Sequence, residues 1–137
     1  MPTIRVFVLL MTIFTVVTAV VVAQDHSIND GVYSEEQARR GGRVYRQTCA
    51  SCHGDDLDGG DMGPGLASSS FVQGWDGAPL SELMLFTRET MPQDNPSGLS
   101  VEQYIDVLAY ILQANNFPAG DSDLGGDLEQ IRIENRP

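Results

Sequence analysis

The chain contains no lysine. All eight basic residues are arginines, set against 19 aspartates and glutamates, and the formal net charge is −11. A chain of that sign is repelled by phosphate backbones and anionic lipid surfaces, which excludes nucleic acid or a charged membrane face as a partner bound by charge. Cysteine is nearly missing as well, with only Cys49 and Cys52 present. A disulfide between such close neighbours would close a tiny loop and constrain the unfolded chain little, so a disulfide-stapled scaffold is excluded and the thiols are left for chemistry. No alternating apolar and polar run long enough for a strand occurs, and no internal repeat.

The long apolar run that does occur stands at the start. MPTIR is followed by VFVLLMTIFTVVTAVVVA, with no charge between Arg5 and Asp25. One positive residue, an apolar stretch and the small residue Ala23 have the form of a secretory signal over residues 1–23. The stretch is also long enough to be weighed as an uncleaved N-terminal anchor. Either form places the folded part outside the cytoplasm, in the periplasm. Composition divides the remainder into an N-terminal arm at 24–33, a folded domain at 34–120 and an acidic C-terminal tail at 121–137. Within the tail, Leu128, Ile131 and Ile133 form an apolar patch able to fold back on the domain.

Helical signals fill the folded part. Ser34-Glu35-Glu36-Gln37 has the form of a capping box, in which Gln37 reaches back to Ser34. Ala38, Gly41, Tyr45 and Cys49 then share one helix face. Gly41-Gly42 costs helix stability relative to alanine, and is tolerated where another backbone or ring packs close against it. GDDLDGGDMGPG at 54–65 is loop, and Phe71 to Gly77 reads as irregular chain around the single tryptophan, Trp75. A second helix is expected from Leu80 to about Thr90, ended by Met91-Pro92 because proline disfavours helical backbone in the residue before it. Ser100-Val101-Glu102-Gln103 caps a third, with Val101, Tyr104, Ile105, Leu108, Ile111 and Leu112 on one broad apolar face. Asn115-Asn116 and Pro118 stop it. The expected class is all-α, three main helices joined by long loops.

CASCHG, residues 49–54, carries the chemistry. Zinc needs four ligands, and beyond Cys49, Cys52 and His53 only the distant His26 remains. A thioredoxin-like dithiol wants a strand before it, and none is present. C-x-x-C-H reads as the attachment motif of a c-type haem, with Cys49 and Cys52 as thioether tethers and His53 placed to ligate the iron from one side. Candidates for the opposite side are Met62, Met84, Met91 and His26. Met84 belongs to an apolar helix face, and Met62 follows the CASCH turn too closely to reach round the cofactor. Met91, fixed by Pro92 on a loop, is favoured, since methionine and histidine are a standard haem pairing. Trp75 reads equally as a donor to a haem propionate and as a core side chain. Asp55, Asp56, Asp58 and Asp61 do not fit a calcium-loop pattern and read as a solvated acidic loop.

With these residues in view, the chain resembles the class I c-type cytochromes. Gly41-x-x-x-Tyr45-x-x-x-Cys49 is similar to that family's N-terminal helix, Val107-Leu108-Ala109-Tyr110-Ile111 to its C-terminal helix, and Gly63-Pro64-Gly65-Leu66 to its G-P-x-L segment. The resemblance implies a small cytochrome c fold wrapped round one covalent haem, with the two helices crossing near Gly41 and Tyr45 and Tyr110 in the contact. It implies that the Pro64 carbonyl accepts the His53 Nδ1 proton, that Leu66 packs on the haem, and that Met91-Pro92 supplies the distal ligand. More narrowly, MPQDNPSGLSVEQYIDVLAYILQANNFPAG is similar to the small cytochromes associated with quinoprotein (pyrroloquinoline quinone) dehydrogenases. The implied function is that of a periplasmic electron carrier rather than an enzyme, fed by a dehydrogenase upstream and emptied by an oxidase or another cytochrome. The alternatives are a haem subunit fixed in a larger membrane-associated oxidoreductase complex and, third, a haem enzyme or gas sensor with an open distal site. In lacking lysine, the chain departs from the mitochondrial type, whose basic ring docks an oxidase.

Overall fold

Two helices from opposite ends of the chain cross at a bare backbone. A computed structural model describes residues 26–135, so the apolar start expected to be a signal or anchor lies outside the described residues. Helix α1 (Glu35–Thr48) begins at Ser34, whose hydroxyl accepts the Gln37 amide. Further along, α5 (Val101–Ala114) begins at Ser100, which makes the complete reciprocal box with Gln103. Such caps supply partners to amides that the first helical turn leaves open.

In α1 the expected box is only half made. The Gln37 side chain turns away from Ser34 and pairs with the Leu124 backbone, donating to its carbonyl at 3.1 Å and accepting its amide at 2.6 Å. Two buried peptide groups of the tail would otherwise lack partners, and supplying them outweighs one exposed capping bond.

The close approach implied by the glycine pair falls at Gly41. A Cβ there would lie 1.8 Å from the Asp106 carbonyl oxygen and 2.9 Å from the Val107 nitrogen. One turn on, the Tyr45 and Tyr110 rings meet at a tilt, centroids 5.4 Å apart, an arrangement that aromatic quadrupoles favour. Arg40 clamps the same crossing from outside, its guanidinium 3.1 and 3.2 Å from the Asp106 carboxylate.

Three shorter helices complete the set: α2 (Ala50–His53), α3 (Ser69–Gly74) and α4 (Leu80–Thr90). The segment expected to be irregular around Trp75 therefore contains α3. Ser68 caps it by accepting the Phe71 amide at 3.2 Å, and six residues are too few for a period to show in the sequence. Among the described residues no helix is long and apolar enough to cross a membrane.

Two apolar clusters result. The larger gathers Leu80, Leu83, Met84, Leu108 and Leu112 with residues from both chain ends, among them Ile28, Tyr33, Leu128, Ile131 and Ile133. The smaller, Tyr45, Ala50, Leu57, Val107 and Ile111, lies under the CASCH turn. The chain ends also pair directly. His26–Ser27 (β1) and Ile131–Arg132 (β2) form a parallel ribbon, and two residues per strand leave no alternation to read. Tyr33 donates its hydroxyl to the Phe117 carbonyl at 2.6 Å. Ile133 brackets the turn after α3, accepting from Gly77 at 2.7 Å and donating to Ala78 at 2.9 Å.

Asp123 anchors the start of the tail by accepting from Ser34 and from Arg40. The Ser34 hydroxyl first, and Arg40 next, hold its carboxyl below the usual aspartate value. A depressed carboxylate contributes its tether above the ordinary aspartate range and loses it as pH falls through the lowered value. Exchange of the neighbouring Leu124 amide should therefore quicken on acidification beyond the intrinsic rate, and Asp123→Asn should abolish that extra dependence. Gly41→Ala is expected to cost the haem-loaded protein about 2 kcal/mol or more in denaturant unfolding, because the backbones of α1 and α5 must part to admit the methyl group.

Candidate functional site

The end of α1 delivers the reactive residues. Cys49 closes that helix, its amide donating to the Tyr45 carbonyl at 2.8 Å, and starts the next turn by accepting from Cys52 at 3.1 Å and His53 at 3.0 Å. A single turn thus presents Cys49, Cys52 and His53 together. Gly54, with φ of 82°, reverses the chain out of it, and the Tyr45 hydroxyl holds the Gly54 carbonyl at 2.7 Å.

The glycine-aspartate loop that follows is pinned from within. Buried Leu57 sits in the smaller cluster, and its carbonyl accepts the amides of Leu66 and Ala67 at 2.8 and 3.0 Å. That doubling back sets the Pro64 carbonyl 2.8 Å from His53 Nδ1. A carbonyl only accepts, so Nδ1 carries the proton and Nε2 keeps its lone pair for a metal. Gly63 makes the approach possible, since a Cβ on it would stand 3.0 Å from Nδ1 and 2.9 Å from the Cys52 carbonyl oxygen.

These groups open on a cavity of about 910 Å³, at the upper end of the ~300–1,000 Å³ typical of small-molecule sites. Cys49, Cys52, His53, Pro64, Leu66, Trp75 and Met91, the residues singled out in the sequence, all line it. Phe71, Leu83, Val107 and Ile111 belong to its apolar wall. Trp75 lines the cavity, packs against the larger cluster, and meets the Phe86 ring with centroids 5.5 Å apart. The other candidates for a second iron ligand separate clearly. Met84 is buried in the core, Met62 also lines the cavity but is 76% exposed, and His26 lies on β1 outside the lining.

The lining holds no arginine and no histidine besides His53; its hydrogen-bonding side chains are mostly neutral, such as Gln47, Thr48, Ser70 and Gln93. Burial first, and then the neighbouring Cys52, push the Cys49 thiol up to about 11. A thiol so protonated at neutral pH is a poor nucleophile, which counts against a dithiol redox pair. Among the described residues no group of three or more His, Cys, Asp or Glu gathers as a zinc site needs. A flat, largely apolar cofactor tethered through both sulfurs and met by His53 Nε2 fits the donor set.

Three residues of the site escaped the sequence reading. Asn115, read only as a helix stop, donates to the Leu66 carbonyl at 2.8 Å. Tyr104, read only as a member of an apolar face, donates to the Met91 carbonyl at 2.7 Å. Its signal was available, because a tyrosine at a core position implies a partner for its hydroxyl. Phe86, half exposed, lines the cavity from α4, and nothing in its local sequence marks it.

Comparison with known proteins fits this geometry. Residues 36–111 match the family described as cytochrome c oxidase, cbb3-type, subunit III. Two curated relatives are cytochrome bc1 complex cytochrome c subunits. That of Corynebacterium diphtheriae is 34% identical and that of Corynebacterium efficiens 32%, each over 101 residues, or 71% of this chain. The chain spans about a third of their length, 34% and 33% respectively. Among solved structures, the sulfane dehydrogenase SoxCD from Paracoccus pantotrophus is similar with a TM-score of 0.49 at 22% identity, over 74% of this chain and 54% of that one. The family match covers more than half the chain and runs from the first turn of α1 through the CASCH turn into α5. On that match, with Cys49-x-x-Cys52-His53 as the attachment motif, the chain belongs to the cbb3-type subunit III family of c-type cytochromes and carries a covalent haem c.

Proposed function

We propose that this chain is the haem c electron-transfer module of a larger membrane-associated oxidoreductase complex, held on the periplasmic side. The observation that carries the electron-transfer part is the cavity itself. It gathers two tethering sulfurs, an imidazole with its Nδ1 proton committed to Pro64, and the methionine Met91, with no arginine and no second histidine in the lining. The relatives named as subunits of a bc1 complex favour a fixed place in an assembly. An uncleaved N-terminal anchor would serve the same end.

When bound, the haem supplies a one-electron redox centre. Cys49 and Cys52 hold it covalently, so it is retained in both oxidation states. His53 and Met91 are the residues that would ligate the iron. A soft thioether ligand would favour the reduced state, and the apolar side chains of Leu66, Phe71, Leu83 and Ile111 would act in the same direction. With both ligands in place, the iron would offer no open position to a substrate. The lining holds no arginine and no second histidine, and its one carboxylate, that of Asp94, lies in an exposed segment. This supports a carrier of electrons over an enzyme or gas sensor.

A second reading keeps the chemistry and changes the setting. The stretch from Met91 to Gly120 is similar to small cytochromes of quinoprotein dehydrogenases, which favours a mobile periplasmic carrier between such a dehydrogenase and an oxidase or further cytochrome. Lacking lysine, such a carrier would dock on a basic partner through a small, transient contact.

Met91→Ala should remove the sulfur-to-iron charge-transfer band of the ferric protein and lower its midpoint potential. An unchanged spectrum would exclude Met91 as a ligand. To separate the two settings, native membranes are extracted with mild detergent and resolved on a non-denaturing gel stained for haem. The complex reading expects the haem to migrate with partner subunits, whereas recovery as a free protein in the periplasmic fraction would leave the mobile carrier.

A further inference from the structure

Met91 stands where α4 stops, and both of its backbone polar groups are engaged. Its amide donates to the Thr87 carbonyl at 2.8 Å, the last bond of α4. Its carbonyl accepts the Tyr104 hydroxyl at 2.7 Å. The segment beyond it is tied at its base by Ser97, whose amide and hydroxyl reach the Arg88 carbonyl at 2.9 and 3.2 Å. From Gln93 to Gly98, however, every residue is exposed. A stretch with so little buried surface opens more readily than the helices it joins. Tyr104 differs in kind. It is 1% exposed, packed in the larger cluster, and belongs to the helix whose place is set against α1 at Gly41.

We propose that Tyr104 is the positioning residue for Met91: its hydroxyl fixes the Met91 carbonyl, and so holds the methionine at the haem cavity on a segment that otherwise opens to solvent. The inference rests on the assignment of Met91 as an iron ligand. The ring and the hydroxyl have separable jobs. The ring fills core space that a phenylalanine would fill equally well, and a buried hydroxyl without a partner is a cost. In the described structure the bond that repays the cost is the one to Met91. Tyr104 touches no reacting atom, and its effect passes through the backbone of the ligand.

The test uses the haem-loaded ferric protein and its sulfur-to-iron charge-transfer band. Imidazole is titrated in, and loss of the band reports displacement of methionine sulfur from iron. Tyr104→Phe keeps the ring, and the apparent affinity for imidazole is expected to rise on the order of fivefold, the factor that one net hydrogen bond typically supplies. Ser100→Ala is the companion variant. It removes the N-cap of the same helix, a loss of comparable size, without touching Met91, and its imidazole titration should follow the wild type. If Tyr104→Phe titrates like the wild type, or if Ser100→Ala shifts as far as Tyr104→Phe, the hydroxyl has no positioning role and the proposal fails. A wild-type ferric protein without the band would overturn the assignment of Met91, and the positioning role with it. That failure is visible before any variant is made.

Discussion

The contact between Gly41 and the Asp106–Val107 peptide sets the distance between the two halves of the site. On one side of the crossing α1 runs on into the CASCH turn, so the tethers and the imidazole stand a fixed number of residues from Gly41. On the other side α5 contributes Val107 and Ile111 to the cavity wall and Tyr104 to its supports, with Asn115 joining them just past its end. A side chain at position 41 would move one set relative to the other. The glycine thus loses some helix propensity and gains a backbone-to-backbone register that no pair of larger side chains would define as tightly. Arg40 and the Tyr45–Tyr110 pair brace the same junction from its two flanks.

Around that junction the long loops are organised by one recurring device. Loop carbonyls lack the regular partners that helix and sheet supply. Several are met here by side chains on the helices or at their ends: Gly54 by Tyr45, Pro64 by His53, Leu66 by Asn115, Met91 by Tyr104 and Leu124 by Gln37. In each case a directional bond from a rigid element fixes a peptide plane in an irregular one. The loops need little apolar surface of their own as a result, which is how a segment as polar as 54–65 keeps a defined path, with Leu57 as its single deep anchor.

What could be read from the sequence follows from the range of the interactions involved. CASCHG was legible because its three reactive groups are neighbours in the chain and need no tertiary information to be recognised together. The caps at Ser34 and Ser100 and the stop at Met91-Pro92 are local too, and the three main helices fall where those signals placed them. Gly41-Gly42 announced a close approach, and family likeness supplied the partner helix. Gln37 was misread because a local rule gave way to a contact with Leu124, far along the chain. The roles of Tyr104 and Asn115 escaped because a hydroxyl or amide on a helix face does not say which distant carbonyl it will meet. Helix α3 and the two-residue strands are too short to carry any period. The narrower likeness to quinoprotein cytochromes rested largely on loop composition, which constrains partners less than a folded interface does.

The parallel sense of the β1–β2 ribbon has a mechanical consequence. Both strands point the same way, so chain arriving at His26 and chain departing after Arg132 leave from opposite ends of the ribbon. A domain closed by an antiparallel pair hangs from its polypeptide as a loop and can be peeled one bond at a time. This one is threaded, and a pull between its two ends loads the ribbon along its strands, where the bonds must yield together. Tension between the two ends would therefore be borne by the seam between arm and tail before it reached the crossing at Gly41.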